Sequence, residues 1–213
     1  MKTAVVTGAS GGVGLEVTRI LLNDGWSVHA QYRTTPGSLD AHWWQASFPD
    51  ICGAPSLTSL DALIHCAGVC SLGSVAEPDM AEWSDAFAVN VLAPVELTAH
   101  YLPLLRAGRG DVVYLNSGAG LRANPGWGSY AASKFAARAW CDALRQEEPD
   151  IRVTSVHPGR IDTPMQEAVV AAEGGVYSPG AYLSASTVAE AVLHALNTPE
   201  DGHQHEVILR PRG

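Results

Sequence analysis

The residues with the clearest chemistry are a tyrosine and a lysine that lie close together in the second half of the chain. Tyr130 and Lys134 belong to the run YAASKFAARAW, whose alanine content favours a helix. Residues at positions i and i+4 share one face of a helix, so the ammonium would lie near the phenol. A nearby cation favours the phenolate, and we therefore expect Lys134 to lower the pKa of Tyr130 from its ordinary value of about 10.

A serine precedes this pair and adds a hydroxyl group. Ser117 follows the apolar run VVYL, which is typical of a buried strand. The carboxyl ends of strands in open α/β sheets are where ligands bind. A hydroxyl, a phenol and a lysine there would form a proton-transfer site for a carbonyl or an alcohol. Since Tyr-x-x-x-Lys also occurs by chance in helices, the interpretation depends on the rest of the chain.

The N-terminus, TAVVTGASGGVG, predicts a strand, a glycine-rich loop and a helix. Gly8 would permit the tight turn, Gly12 would let the backbone approach a pyrophosphate, and Gly14 would allow close packing of helix and strand. Free N–H groups at the start of the helix would then receive the phosphates. The loop therefore predicts a dinucleotide site, with a purely structural glycine turn as the alternative.

The end of the second strand indicates which dinucleotide would bind. An acidic residue there would bind the adenosine ribose diol, but the local sequence AQYRTT has none. Arg33 could pair with a 2′-phosphate, with Ser10 or Thr34 as hydroxyl donors. The sequence thus predicts a preference for NADP(H) over NAD(H). A surface arginine without a ligand is the alternative.

Strands alternate with helices along the whole chain, which indicates a doubly wound parallel sheet with helices on both faces. We expect strands at 4–6, 27–32, 42–48, 60–68, 111–115, 151–156 and 206–209, and helices from 13 and over 76–106, 129–147 and 187–197. Segment 49–59 is too interrupted by proline and glycine for a full-length helix, and 166–185 suggests a mobile flap. With no domain boundary visible, residues 1–213 are expected to form one Rossmann-type α/β/α domain.

An asparagine lies within the apolar stripe of the helix expected over 76–106. Asn90 would be buried there and would need hydrogen-bond partners. Pro94 has no N–H to donate to the carbonyl of Asn90, so this carbonyl is free to hold a water molecule. A helix kink whose groups are satisfied locally is the alternative.

Composition limits the classes of partner and the compartment that we expect for this protein. The net charge of −9, without a basic cluster, argues against nucleic acid. No apolar run approaches the roughly 20 residues of a membrane span, and the start resembles a first strand and not a signal peptide. The four cysteines form no Cys-x-x-Cys pair, which indicates reduced thiols of a cytoplasmic protein. His203 and His205 lie in a polar, loop-like stretch, so we expect no metal site.

Six motifs occur in the order found in the short-chain dehydrogenase/reductase family: TGASGGVG, Cys66–Gly68, Asn90, Ser117, YAASK and HPGRIDT. The resemblance covers nearly the whole chain and implies a single-domain NADP-dependent oxidoreductase. It implies that Tyr130 is the catalytic acid and Ser117 its hydrogen-bonding helper. It also implies that Lys134 binds the nicotinamide ribose hydroxyls and that Asn90 holds a water of a proton relay.

The cofactor site implied by the loop and by the resemblance comprises Gly8, Ser10, Gly12, Val13, Gly14, Arg33, Ala67, Gly68, Tyr130, Lys134, Pro158, Gly159, Ile161 and Thr163. The chain departs from the family pattern in having HCAG where NNAG is usual. It also lacks the usual aspartate after the third strand, which leaves Ser47, Phe48 or Asp50 as adenine neighbours. Family members often pair through the helices at 76–106 and 129–147, so a homodimer or homotetramer is expected.

Three functions are compatible with these residues. The leading one is reduction of a ketone or aldehyde, or the reverse oxidation of an alcohol. The second is a non-catalytic NADP(H)-binding regulator on the same fold. The third is an epimerase or dehydratase, which the short stretch after Gly159 disfavours. An apolar substrate pocket could be lined by Leu121, Trp127, Met165 and the segment 177–182.

Overall fold

The central element of the fold is a seven-stranded parallel sheet, seen in a computed structural model that describes residues 1–212. The strands are β1 (Thr3–Thr7), β2 (Ser27–Tyr32), β3 (His42–Gln45), β4 (Ala62–His65), β5 (Asp111–Leu115), β6 (Arg152–Pro158) and β7 (Glu206–Leu209). They lie in the order β3-β2-β1-β4-β5-β6-β7, and every neighbouring pair is parallel. The predicted Rossmann-type sheet is therefore confirmed.

Helices cover both faces of this sheet. They are α1 (Gly12–Asn23), α2 (Met80–Phe87), α3 (Ala93–Gly108), α4 (Gly128–Glu147), α5 (Pro164–Ala172) and α6 (Ala185–Leu196). Successive side chains of a strand point to opposite faces, so Val6 packs against α1 and α6 while Val5 packs against α3 and α4. Two apolar cores result, one on each face, which is the predicted three-layer arrangement.

A long helical region runs from Met80 to Gly108. The Asp79 carboxylate caps its start, because Oδ1 accepts a hydrogen bond from the N–H of Ala81 at 2.8 Å. A π-helical segment, Ala88–Leu92, separates α2 from α3 directly before Pro94. The region is long and apolar enough in composition to span a membrane. Leu97, Tyr101 and Leu105 on its inner face are nevertheless buried in the core against the sheet.

Several bounds differ from those expected. The third strand ends at Gln45, not at residue 48. The fourth strand ends at His65, not at residue 68, since the N–H groups of Cys66 and Ala67 turn to the Thr7 hydroxyl. The sixth strand continues to Pro158, and the helix expected from residue 76 begins at Met80.

The two segments without a clear pattern also differ from each other. Residues 49–59 contain no helix, as expected, and Ile51, Ala54 and Leu57 cover the sheet from an irregular loop. Segment 166–185 was expected to form a mobile flap, and the structure shows that its first part is helical and belongs to α5. That helix begins after Thr163, whose hydroxyl accepts a hydrogen bond from the N–H of Gln166 at 3.3 Å, and it buries Val169 and Val170.

Candidate active site

A cleft of about 700 Å³ opens at the carboxyl ends of the strands, where the strand order reverses between β1 and β4. Ser117 and all fourteen residues expected to bind a cofactor line it: Gly8, Ser10, Gly12, Val13, Gly14, Arg33, Ala67, Gly68, Tyr130, Lys134, Pro158, Gly159, Ile161 and Thr163. Asn90 lies behind the wall of the cleft and is fully buried. The tertiary structure thus brings the sequence motifs to one place.

The glycine loop is tightly packed where glycine was expected. A Cβ atom on Gly8 would lie 2.8 Å from the Cα of Ala67, and the φ of Gly8 is +62°. A Cβ atom on Gly14 would lie 2.2 Å from the carbonyl oxygen of Gly8. Only glycine allows these approaches, because real Cβ contacts are not that short. Gly12, Val13 and Gly14, the first residues of α1, line the cleft, and the first N–H groups of a helix have no partner within the helix.

Two polar residues of the strands hold the walls of the cleft, Gln31 at the glycine loop and Thr7 at the segment after β4, and neither was identified from the sequence. The Gln31 side chain accepts from the N–H of Gly8 at 2.7 Å and donates to the carbonyl of Ala46 at 2.7 Å. The Thr7 hydroxyl accepts from two N–H groups after β4, at 3.1 Å each. Both residues are buried. A polar residue within an apolar strand was the signal that could have identified them, because such groups need partners.

Tyr130 and Lys134 lie on one face of α4, as their spacing predicted, and both are buried, with exposed fractions of 8% and 3%. The Lys134 ammonium donates to the Tyr114 hydroxyl at 3.0 Å and to the carbonyl of Leu115 at 2.9 Å. Its nitrogen lies 5.8 Å from the centre of the Tyr130 ring. The lysine is therefore anchored to β5 and faces the ring of Tyr130.

Burial dominates the pKa values of this pair. It lowers the pKa of Lys134 from 10.5 to about 8. It raises the pKa of Tyr130 above the ordinary value, while a hydrogen bond with Ser117 acts in the opposite direction. The expectation that Lys134 lowers the pKa of Tyr130 is therefore wrong in this structure. Desolvation of the phenolate is the main cause, and the hydrogen bonds of the Lys134 ammonium go to Tyr114 and Leu115 instead of Tyr130.

The Ser117 hydroxyl is held by a short turn at the end of β5. Its Oγ accepts from the N–H of Ala119 at 3.0 Å and caps the single turn of 3₁₀ helix, Gly118–Gly120. The Asn116 side chain accepts from the N–H of Ser117 at 2.8 Å and donates to the carbonyl of Lys134 at 3.2 Å. Asn116 therefore ties the serine turn directly to α4.

Asn90 connects three elements. Its side chain exchanges two hydrogen bonds with the backbone of Val69, at 2.9 and 3.0 Å, and donates to the Ser133 hydroxyl at 3.0 Å. Its carbonyl, which Pro94 cannot bond, accepts from the Tyr114 hydroxyl at 2.6 Å. The carbonyl that we expected to hold a water therefore has a donor from the protein itself.

One end of the cleft holds the residues that the sequence predicted to bind a 2′-phosphate. Ser10, Arg33 and Thr34 are exposed and line it together with Ser47 and Phe48. Among residues 1–212, Arg33 takes part in none of the ion pairs. Asp50 does not line the cleft, and its carboxylate accepts from the N–H of Cys52 at 2.8 Å. Of the three adenine candidates, Ser47 and Phe48 remain.

The other end of the cleft has an apolar wall. Trp127 and Met165 line it as expected, whereas Leu121, Tyr177 and Tyr182 do not. The Trp127 ring centre lies 5.9 Å from that of Tyr130. Residues that the sequence analysis missed also line this end, namely Cys70, Arg160, Gln166 and Val169.

The residues present fit a nicotinamide dinucleotide. The glycine loop leaves space beside α1 that a side chain on Gly12 would enter, 3.4 Å from the Thr163 methyl group. The side-chain nitrogen of Gln166 is buried in the cleft wall without a hydrogen-bond partner, so a donor is available beside this space. Within residues 1–212, no group of three or more His, Cys, Asp or Glu side chains could hold a metal ion.

Comparison with known proteins agrees with this geometry. Residues 54–174, more than half of the chain, match the short chain dehydrogenase family model. The glycine betaine reductase ATRR of Emericella nidulans is 31% identical over 99% of this chain, and the chain spans only 19% of that relative's length. The benzil reductase ((S)-benzoin forming) IRC24 of Saccharomyces cerevisiae is 30% identical over a match that covers 79% of this chain and 74% of the yeast protein.

Solved structures show the same fold. An alcohol dehydrogenase from the archaeon Thermococcus sibiricus, complexed with 5-hydroxy-NADP, superposes with a TM-score of 0.88. The match covers 99% of this chain and 97% of the archaeal one at 24% identity, a level at which the likeness concerns the fold. The extent of the family match, together with the order of the motifs around one cleft, shows that the chain belongs to the short-chain dehydrogenase/reductase family of oxidoreductases.

Proposed function

We propose that the protein is an NADPH-dependent reductase of a ketone or aldehyde, which can also oxidise the corresponding alcohol. The observation that carries this proposal is the position of Ser117, Tyr130 and Lys134 in one cleft with the glycine loop. These three side chains come from β5 and α4, whereas the loop comes from β1 and α1. No structural requirement of the sheet explains why a buried lysine and a buried tyrosine should share the wall of an open cleft.

In the proposed reaction, bound NADPH supplies the hydride for the carbonyl carbon. Tyr130 holds the proton for the carbonyl oxygen, since a phenol is protonated at neutral pH and burial raises the pKa of Tyr130 further. Ser117 places a second hydroxyl beside this oxygen. An ammonium has three N–H donors, and Lys134 uses two on Tyr114 and Leu115. The third remains for the ribose hydroxyls of the nicotinamide.

The preference for NADPH over NADH rests on Arg33. A guanidinium binds a phosphate through two parallel hydrogen bonds, and Ser10 and Thr34 add hydroxyl donors beside it. Arg33 is exposed, lines the cleft and forms no ion pair within residues 1–212. The 5-hydroxy-NADP complex of the archaeal alcohol dehydrogenase supports the same cofactor class.

We also propose that the protein is cytoplasmic and forms a homodimer or homotetramer. All four cysteines are free thiols, which suits a reducing compartment. Leu92, Val95 and Phe135 are exposed apolar side chains at the start of α3 and on α4, and such a patch favours association. A small-molecule carbonyl or alcohol is the proposed substrate, and Trp127 and Met165 would contact its apolar part.

The first test is a titration of the protein with NADPH and with NADH, followed by tryptophan fluorescence. We expect NADPH to bind at least about tenfold more tightly, since a charge-assisted pair contributes about 1.5–3 kcal/mol. Arg33→Asp should remove or reverse this preference. Arg122→Asp, which changes an exposed arginine outside the cleft, is the matched control and should not.

Consumption of the cofactor then tests catalysis. Ketones and aldehydes are offered with NADPH, and the loss of its absorbance is compared with the alcohol formed. Stoichiometric conversion supports the reductase. Tight NADPH binding without consumption of any carbonyl would instead support the non-catalytic regulator, and equal affinity for both cofactors would contradict the role of Arg33.

A further inference from the structure

Behind the active-site lysine lies a tyrosine that the motifs do not include. Tyr114 is on β5 and is fully buried. Its hydroxyl accepts a hydrogen bond from the Lys134 ammonium at 3.0 Å and donates one to the carbonyl of Asn90 at 2.6 Å. The Lys134 nitrogen also lies 4.7 Å from the centre of the Tyr114 ring, within reach of a cation–π contact.

Both groups that bond to the Tyr114 hydroxyl would otherwise have one hydrogen-bond partner fewer in the core. The carbonyl of Asn90 has lost its regular helical donor, because residue 94 is a proline, and a buried carbonyl without a donor is costly. The Lys134 ammonium is buried, and Tyr114 supplies one of the two acceptors that it has within residues 1–212. One hydroxyl therefore satisfies both groups from the inner side of the site.

We infer that Tyr114 is a positioning residue of this active site, whose hydroxyl holds Lys134 against Tyr130. This hydroxyl takes the place of the water that the family resemblance implied on Asn90. This inference rests on the proposed function for its catalytic meaning. The chain of hydrogen bonds from Lys134 ends at an amide carbonyl, which accepts a hydrogen bond but has no proton to pass on. Its role is therefore to fix the direction of the ammonium and not to conduct protons.

A matched control exists in the same core. Tyr101 is also buried, with an exposed fraction of 1%, and its hydroxyl donates to the carbonyl of Pro55 at 2.8 Å. Tyr101→Phe thus removes the same atom and a hydrogen bond to a carbonyl, as Tyr114→Phe does, but it removes no hydrogen bond from an ammonium. The difference between the two variants isolates the contact with the ammonium.

The charge of Lys134 can be switched with pH while its neighbours keep theirs. Burial places the pKa of Lys134 at about 8. Burial raises the pKa values of Cys66, Cys70 and Cys141 to about 12, lowers that of His65 to about 3, and raises those of Tyr114 and Tyr130 above their ordinary range. Of these groups facing the amine, only Lys134 changes its charge between about pH 6.5 and about pH 9.5.

The experiment measures denaturant unfolding of the wild type and of both variants at these two pH values, without cofactor. At about pH 6.5, Tyr114→Phe removes an acceptor from an ammonium. At about pH 9.5, it removes one from a neutral amine, which forms a weaker bond. We expect Tyr114→Phe to raise the equilibrium constant of unfolding by a factor that is about ten times larger at about pH 6.5 than at about pH 9.5. Tyr101→Phe should raise it equally at both.

Turnover gives the second readout. With Lys134 held by Leu115 alone, we expect kcat of Tyr114→Phe to fall about tenfold, while KM for the carbonyl substrate changes little, since misplaced catalytic groups affect the reacting step. Tyr101→Phe should keep both values. A Tyr114→Phe variant that matches Tyr101→Phe in kcat and in its pH dependence would overturn the inference.

The outcomes separate this inference from the proposed function. A wild type that neither binds NADPH nor reduces carbonyls refutes the function, whereas the unfolding data still decide whether Tyr114 holds the ammonium. If Tyr114→Phe is too unstable at the lower pH, Lys134→Met supplies the second background. In the Lys134→Met background, the inference predicts that adding Tyr114→Phe lowers the free energy of unfolding by the same amount at both pH values. A pH dependence that persists in this background would contradict the inference.

Discussion

At the scale of single residues, burial decides the chemistry of the site. Tyr130 and Lys134 are both removed from water, so the phenol retains its proton and the lysine loses its proton more easily than in water. A phenol that stays protonated suits a proton donor in carbonyl reduction. Their spacing in the sequence predicted that they share a face, but the direction of the tyrosine's pKa shift depends on desolvation, which the tertiary structure creates.

The role of Tyr130 leads to a direct prediction. Tyr130→Phe removes the proposed proton donor but keeps the ring, so we expect turnover to fall by about 10²–10⁴-fold, the usual contribution of a general acid. NADPH affinity should change by less than about twofold, because the lost hydroxyl is not the phosphate site. Steady-state kinetics and tryptophan fluorescence measure the two effects. Tyr182→Phe, outside the cleft, is the control, and undiminished turnover of Tyr130→Phe would refute the role.

At the scale of elements, the first β–α unit depends on how closely α1 approaches β1. The sequence predicted both elements and the reason for Gly14, and the structure confirms the close approach to the Gly8 carbonyl. It also shows that Gln31 holds the loop from the neighbouring strand. The geometry of the glycine loop is thus built jointly by the loop glycines and by β2.

Gly14→Ala tests this packing. The added methyl group would lie 2.2 Å from the Gly8 carbonyl oxygen, so α1 must move away from the loop. We expect the free energy of unfolding to fall by about 1–3 kcal/mol, as for other overpacked sites. Gly180→Ala, at an exposed position with open space around its Cβ atom, is the control and should not lower it. Equal stability of the two variants by denaturant unfolding would count against the packing argument.

At the scale of the whole molecule, two apolar cores leave a third apolar surface uncovered. Phe135 on α4 is 41% exposed and Leu92 beside the start of α3 is 56% exposed. The π-helical segment that contains Leu92 packs directly against α4, so the two side chains belong to neighbouring elements. A second copy of this chain is the proposed partner for this surface.

Light scattering checks the proposed assembly. The wild type should show two or four times the chain mass of 22.4 kDa at micromolar concentration. Phe135→Glu places a charge in the proposed interface and should produce the 22.4 kDa monomer, since an unpaired buried charge is costly. Val176→Glu changes an equally apolar, 92% exposed residue outside these helices and should leave the assembly intact. A monomeric wild type would dispose of the proposal.

Much of the fold could be predicted from local patterns. Strands β2, β5 and β7 have the expected bounds, and α4 differs by one residue at its start, because their apolar runs and turn residues are sharp. The predicted end of β4 was wrong, because the apolar run continues through HCAG in the sequence. In the structure, the N–H groups of the two residues after β4 donate to the Thr7 hydroxyl instead of a neighbouring strand. The start of α5 was missed because glycines later in the segment, Gly174 and Gly175, hid a short helix capped by Thr163.

The sequence by itself determined the order of the seven strands along the chain and of every helix except α5, as well as the glycine loop, the Tyr130–Lys134 pair and the family. These features are local in the chain, or depend only on the order of local motifs, and so leave a visible pattern. Only the tertiary structure decided which groups Lys134, Asn90 and Gly8 bond. Their partners Tyr114 and Gln31 lie about 20 positions or more away in the chain. Hydrogen bonds between distant residues, and the burial that shifts their pKa values, arise only when strands and helices pack together.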